Sequence, residues 1–422
     1  MCIEKNLMIN KKTFPWWIYI FFSTLCPHVL LGQIALLVFI VFSFAHSIKK
    51  RAYVNWIPFL LLEAVFLIYS VIQCLGIAAD SSVALQMCKT VAINLIFDVA
   101  FLNYSINIKS EHLVETYING CFWGFIVCLI LYGYTIGNSA IYDGRLTSAI
   151  SIGYGIFKIS GHSPTALAAI ASNAMIMSML IYWRKNKKYA LMYFSFFSFI
   201  ILLTKSRKNL VFILFSILII PFCYSGKGFN TKKLKIMFSG IILCVLGCFA
   251  IIKIPYFYEH IGMRLLSILD GVLQIGISES SFGESSIRTR ESLIVLAKSA
   301  FIQKPVYGWG LNNFSEVINK GGYYTHNSFW EMLVSGGIIG FTIYYAKYFC
   351  IFKKMYNGIK KKSLQILVPY KIGLLAFILY CFLEYWQITY MFRFIYILPI
   401  LLLKYAQINE TESSKGDMIS DD

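Results

Sequence analysis

The amino-acid sequence predicts an all-α integral membrane protein with about twelve transmembrane helices. Two observations carry that expectation. Hydrophobic residues make up 58% of the 422 residues and charged residues only 14%, a balance outside that of soluble domains. The apolar residues also fall into runs of span length separated by short basic clusters, the imprint of positive-inside topology.

The net charge of +18 does not point to nucleic acid, because the lysines and arginines are divided among inter-span clusters rather than gathered on one domain face. The eleven cysteines lie mostly inside apolar runs (Cys74, Cys88, Cys121, Cys128, Cys244, Cys248, Cys381). With no C-x-x-C pair and no framework spacing, they read as small core residues.

Apolar windows lie near residues 16–26, 28–46, 54–75, 84–104, 113–136, 163–183, 189–204, 209–224, 236–252, 329–352, 370–386 and 393–407. Lys11 and Lys12 ahead of "FPWWIYIFFSTLC" resemble a signal sequence, but no small-x-small cleavage site follows and Leu25 before Cys26 spoils a lipobox, so this segment is expected to be retained. Only Pro27 and His28 part the first two windows. The basic clusters on either side, Lys11 with Lys12 and Lys49 to Arg51, both belong in the cytoplasm, which requires two crossings.

Carried onward, the rule places Arg184 to Lys188, Lys227 to Lys235 and Lys353 to Lys362 inside, with both termini cytoplasmic. The chain reads as one polytopic domain, 1–422, with a tail at 408–422 expected to be disordered in the cytoplasm. Two long connections fall outside: 137–162, and 253–328 between the ninth and tenth spans. Connections of that length are usually functional.

The turn "TKSRKN", 204–209, breaks the rule, because Lys205, Arg207 and Lys208 fall outside. Its flanking spans have about sixteen residues, roughly 24 Å of helix against a hydrocarbon core of roughly 30 Å, so the turn is expected to be recessed. In the larger connection, Leu293, Leu296, Ala297, Ala300 and Phe301 repeat at helical spacing from Ile287 to Gln303, and Pro305 ends the pattern. An amphipathic helix is expected there, lying along the membrane or against the bundle. Arg288, Arg290 and Glu291 would sit at its N-terminal end, where free backbone N–H groups favour an anion.

After it comes "PVYGWG", in which Gly308 and Gly310 read as a tight turn, since no strand or βαβ unit surrounds them to suggest a dinucleotide site. His326 precedes the next span at headgroup level. A histidine there is either structural or a general base for a sugar hydroxyl, and the chemistry favours the base; Asn327 is adjacent to support it. Gly336 and Gly340 read as a small-xxx-small packing face. The outer segments offer no Asp-x-Asp or HxxxH pair to hold a metal. Arg145, Arg207, Arg288 and Arg290, with Lys205 and Lys208, instead suit a diphosphate, although each arginine is equally readable as a surface residue. Glu63 and Asp98, at similar depth in adjacent spans, would suit a proton relay.

Three stretches resemble the bacterial O-antigen ligase and O-antigen or capsule polymerase superfamily. "LLTKSRKNL", 202–210, is similar to its L-T-x-S-R at a span end. Arg290, "PVYGWG" and "HNSFWEMLVSGGIIG" are similar to its arginine, P-x-x-G-x-G and H-N before a glycine-containing span. "GRLTSAISIGYGIFKISGHSPTALAA", 144–169, is similar to its third region, with Thr165 where asparagine is common. The resemblance implies a GT-C-like helical bundle in the bacterial cytoplasmic membrane, a metal-independent glycosyltransferase without cofactor. Its donor would be an undecaprenyl-diphosphate-linked glycan and its acceptor a second glycan. His326 would act as base, and Arg207, Arg290, Arg288, Arg145, Lys205 and Lys208 would bind diphosphate, with Asn327, Gly308 and Gly310 in support. A chain-length regulator and a flippase are the partners it implies.

Three functions follow: a polymerase of O-antigen or capsular repeat units, a ligase delivering glycan to lipid A core or protein, and a lipid-linked glycan flippase that would use Glu63 and Asp98. The first is preferred as the commonest role.

Overall fold

The computed structural model describes residues 12–25, 30–45, 56–106, 108, 110–136, 164–204, 206, 209–213, 215–217, 281–320 and 322–360, with single positions between 231 and 253. The windows at 370–386 and 393–407 and the outer connection 137–162 lie outside the described residues; 209–224 is described at 209–213 and 215–217, and 236–252 only at a few positions.

The described regular structure is α-helical: α1 (Phe14–Leu25), α2 (Leu30–Ala45), α3 (Ile57–Gly76), α4 (Ser81–Ile106), α5 (Ser110–Ile136), α6 (Pro164–Lys185), α7 (Lys187–Thr204), α8 (Ser281–Gln303), a π-turn (Phe314–Ile318) and α9 (Ser328–Lys360). Six of these, α3 to α7 and α9, are long and apolar enough to cross a membrane, whereas α1 and α2 are shorter apolar helices. The first two sequence windows are therefore two helices.

The helices pack as a chain of neighbours, α9 on α3, α3 on α4, α4 on α2, α2 on α1, α1 on α5, α5 on α6 and α6 on α7, with α8 against α9. Close approach has an identifiable cause at α1 and α5. A Cβ on Gly120 would lie 2.9 Å from Ile20 and one on Gly124 would lie 2.8 Å from Thr24, so this Gly-x-x-x-Gly face admits the neighbouring helix. Trp16, Tyr19, Phe39, Phe97 and Phe101 fill the space beside it. The outward faces stay apolar: Leu61, Ile68 and Leu75 on α3 are exposed, as lipid contact requires. α6 is the inner helix, with 89% of its span buried.

Short connections make the helices antiparallel. One residue, Asn186, parts α6 from α7, and four part α3 from α4. Lys185 at the end of α6 meets Glu111 and Glu115 at the start of α5. The α3–α4 turn, the α7 C-terminus and the start of α9 therefore share one end of the bundle.

Candidate functional site

At that end α9 is broken. Gly337 has φ 62° and ψ −169° inside the helix, a conformation that glycine alone adopts without strain. A break in a helix leaves carbonyls and N–H groups without their intrahelical partners, and each must find another. The "PVYGWG" turn supplies most of them. Trp309 N–H donates to the Val334 carbonyl (2.8 Å) and Gly310 N–H to Ser335 (3.0 Å), while Ile338 N–H donates to Pro305 (2.8 Å) and Ile339 N–H to Val306 (3.3 Å). Contact this close demands glycine on both sides. A Cβ on Gly308 would lie 2.6 Å from Val334 and Ser335 oxygens, and one on Gly337 would lie 2.3 Å from the Val306 oxygen.

α3 completes the junction. Tyr69 donates its hydroxyl to Gly336 (2.6 Å) and Tyr307 (3.1 Å) carbonyls. Gln73 donates to Ser335 (3.0 Å) and also to Tyr307. Behind them Ala79 N–H donates to Trp309 (2.9 Å), and Asn313 accepts from Asp80 N–H (2.7 Å). Asp80 itself caps α4 through Ser82 and Val83 N–H; those bonds, the Ser82 hydroxyl foremost, hold its carboxyl below the usual carboxylate range.

His326 stands just before the first limb of α9. It is half-buried, and its φ of 53° places a non-glycine residue in the left-handed region, where strain persists only if the surroundings impose it. The surroundings are on its two sides. Thr325 donates its hydroxyl to the Asn327 carbonyl (2.7 Å) and accepts from Asn327 N–H (3.2 Å), bridging across the histidine. Thr325 N–H donates to the Glu331 carboxylate (3.0 Å), and Glu331 is 2% exposed. The Asn327 side chain accepts from Phe329 (3.0 Å) and Trp330 (3.2 Å) N–H, an N-cap. The His326 ring lies 4.1 Å from that of Tyr324 and 5.9 Å from that of Tyr323, centre to centre. Burial pushes the Tyr324 phenol up to about 12, against the field of Arg290 and with that of Glu331. Arg290, Tyr324, His326 and Glu331 thus form one neighbourhood.

α8 brings Arg290 there. Its apolar repeat, Leu293, Leu296, Ala297, Ala300 and Phe301, packs with Trp309, Phe314, Trp330 and Val334, so the amphipathic helix lies against the bundle. The described part of the turn at 204–209 is recessed: Thr204, Ser206 and Asn209 are buried. Asn209 accepts from the Ser172 hydroxyl (3.2 Å). Ser172 is eight residues beyond the start of α6, about 12 Å down the helix.

Residues 192–345, from α7 through this turn and α8 into α9, match the O-antigen ligase family. The chain carries an O-antigen ligase family domain. Enzymes of this family transfer lipid-linked glycans, so the protein is a multi-pass membrane protein of polysaccharide biosynthesis. No curated protein matches the chain.

Within the O-antigen ligase domain, exposed Arg290 acts electrostatically on Tyr324, whose ring lies against that of His326, while Gly308 and Gly310 pack on the break in α9 and on the α3–α4 turn. Arg145, Lys205, Arg207 and Lys208 lie outside the described residues, as does the Arg288 side chain. Two expectations are corrected. α8 begins at Ser281, so Arg288, Arg290 and Glu291 lie two to three turns inside it and away from its free N–H groups. Asn327 directs its side-chain oxygen to the α9 N-terminus, so its support of His326 runs through backbone and helix cap.

Sequence reasoning missed Gly337, Glu331 and Lys347. "SGG" at 335–337 was the available sign of the break, since Ser–Gly pairs kink helices. Lys347 pairs with Glu63 (3.3 Å), and both are 5% exposed at the side chain. Gly340 does pack closely, a Cβ there lying 2.7 Å from Tyr69. No group of three metal-ligating side chains occurs among the described residues.

Proposed function

We propose that this protein polymerises undecaprenyl-diphosphate-linked repeat units into O-antigen or capsular polysaccharide on the outer face of the cytoplasmic membrane. His326 removes the proton of an acceptor hydroxyl. As that oxygen bonds to the anomeric carbon of the donor, the bond from this carbon to the diphosphate breaks, and the developing charge passes to Arg290, with Arg207, Arg288, Arg145, Lys205 and Lys208 as further cations. A guanidinium suits this because it binds phosphate oxygens bidentately and stays charged.

The observation that carries the reading is the left-handed His326, bracketed by Thr325 and Asn327 and set beside Tyr324 in the field of Arg290. Residues held in sparsely populated backbone regions cluster at functional sites, which supports the reading. Transfer to lipid A core or protein is the second reading, favoured by the description of the matched family. A proton-relay role for Glu63 is disfavoured, because Lys347 holds its carboxylate.

The test is His326→Ala. Transfer should fall about 10²- to 10⁴-fold, the usual loss with a general base, while membrane insertion and donor binding persist. In a deletion strain, single repeat units on lipid identify a polymerase, and long uncapped chains identify a ligase. Transfer by His326→Ala at the wild-type rate overturns the mechanism.

A further inference from the structure

We infer that Cys74 and Cys88 are the two halves of a disulfide that staples the α3–α4 hairpin beneath the candidate site. The two cysteines come from different helices, fourteen residues apart, and their sulfurs stand 3.1 Å apart as thiols. Closing to the length of a disulfide, about 2.05 Å, needs a movement of about 1 Å. Both are buried, at 6% and 4% exposure, in a cluster whose remaining members are the small Ala78 and Ala84. Small neighbours let the helices approach this closely. Cys121, by contrast, has the Thr24 hydroxyl at 3.8 Å, and Cys128 packs with Leu25 in a separate cluster.

Position gives the pair its consequence. Cys74 is two residues from the end of α3, and Cys88 is about two turns into α4. Between them runs the turn whose Ala78 meets Gly310, whose Ala79 binds Trp309 and whose Asp80 binds Asn313. A covalent link there fixes the surface on which the Gly308–Gly310 turn rests.

The inference rests on the proposed outward orientation, since disulfides persist in oxidising compartments. The chemistry is thiol–disulfide exchange with an oxidised dithiol partner. One cysteine thiolate attacks the partner's disulfide and releases one of its thiols. The second cysteine then displaces the other partner sulfur. The two cysteines lose two electrons and two protons, and the partner gains both as two thiols.

The tryptic peptide 52–89 contains these two cysteines and no other. Membranes from growing cells are denatured in SDS with iodoacetamide, and the peptide is weighed before and after reduction. The expected result is no label before reduction and two labels after it. In Cys74→Ser, Cys88 should label without reduction; if it stays blocked, its partner is another cysteine and the pairing is wrong. Two labels on the wild-type peptide before reduction overturn the disulfide. Labelling of Ser299→Cys by an impermeant reagent then separates the causes. If Ser299→Cys is inaccessible from outside, the orientation and the functional reading fall together with the disulfide. If it is accessible, the disulfide alone is lost.

Discussion

His326 adopts φ 53° because its neighbours leave it no other choice, and Glu331 is the furthest-reaching of them. Its buried carboxylate accepts from Thr325 N–H, and Thr325 is fully buried. Glu331→Ala would leave that N–H without a partner, at a cost of about 1–3 kcal/mol, and would release the backbone bracket around the histidine. We expect Glu331→Ala to lose both thermal stability in detergent and transfer, whereas Glu331→Gln, which keeps an acceptor oxygen, retains most of both. Equal loss in the two variants would mean that the charge, and not the hydrogen bond, is what the site uses. Arg290→Lys should lose most transfer with folding unchanged, because one ammonium cannot reproduce a bidentate grip; full activity in a glycan-transfer assay would reduce Arg290 to a surface residue.

At the scale of elements, the break in α9 is the central feature. A helix interrupted inside a membrane survives only if its freed backbone groups are paired. Here Tyr69, Gln73 and the 305–310 turn pair them. Gly337→Ala adds a Cβ 2.3 Å from the Val306 oxygen at a φ of 62°. That φ with ψ −169° is a region essentially reserved for glycine, costing about 1–3 kcal/mol for a residue with a Cβ, and the clash adds to it. The variant should unfold at lower temperature and lose transfer, since the displaced turn carries α8 and Arg290 with it. An unchanged melting temperature would show that the turn does not dock on the break. Gly308→Ala, facing the same junction from the other side, should behave alike.

For the whole molecule, the antiparallel helices place the α3–α4 turn, the end of α7 and the start of α9 at one end, and the proposed chemistry requires that end to face outward. Ser299 on α8 and Lys188 at the start of α7 are both exposed and belong to opposite ends. A cysteine at Ser299 should react with an impermeant thiol reagent added to intact cells above the wild-type background, and one at Lys188 should react only after permeabilisation. The reverse pattern would place His326 in the cytoplasm and end the proposal.

Helical membrane character, the apolar windows through α7, the packing face of α8 and the two family-like stretches within 192–345 were all legible in the sequence. Each is encoded locally, by hydropathy over one span, by a helical repeat over three turns or by a few adjacent residues. The join between Gly337 and the Gly308–Gly310 turn was not legible, nor were the Lys347–Glu63 pair and the contact of Cys74 with Cys88. These depend on partners distant in the chain; the bond from Gln73 to Ser335 spans 262 residues, and no local pattern records which distant carbonyl a side chain will meet. The left-handed His326 was not legible either, although the bonds around it are local. The sequence supplied a histidine before a span, and the bonds of Thr325 to Asn327 and Glu331, which residue type and spacing do not announce, decided its conformation.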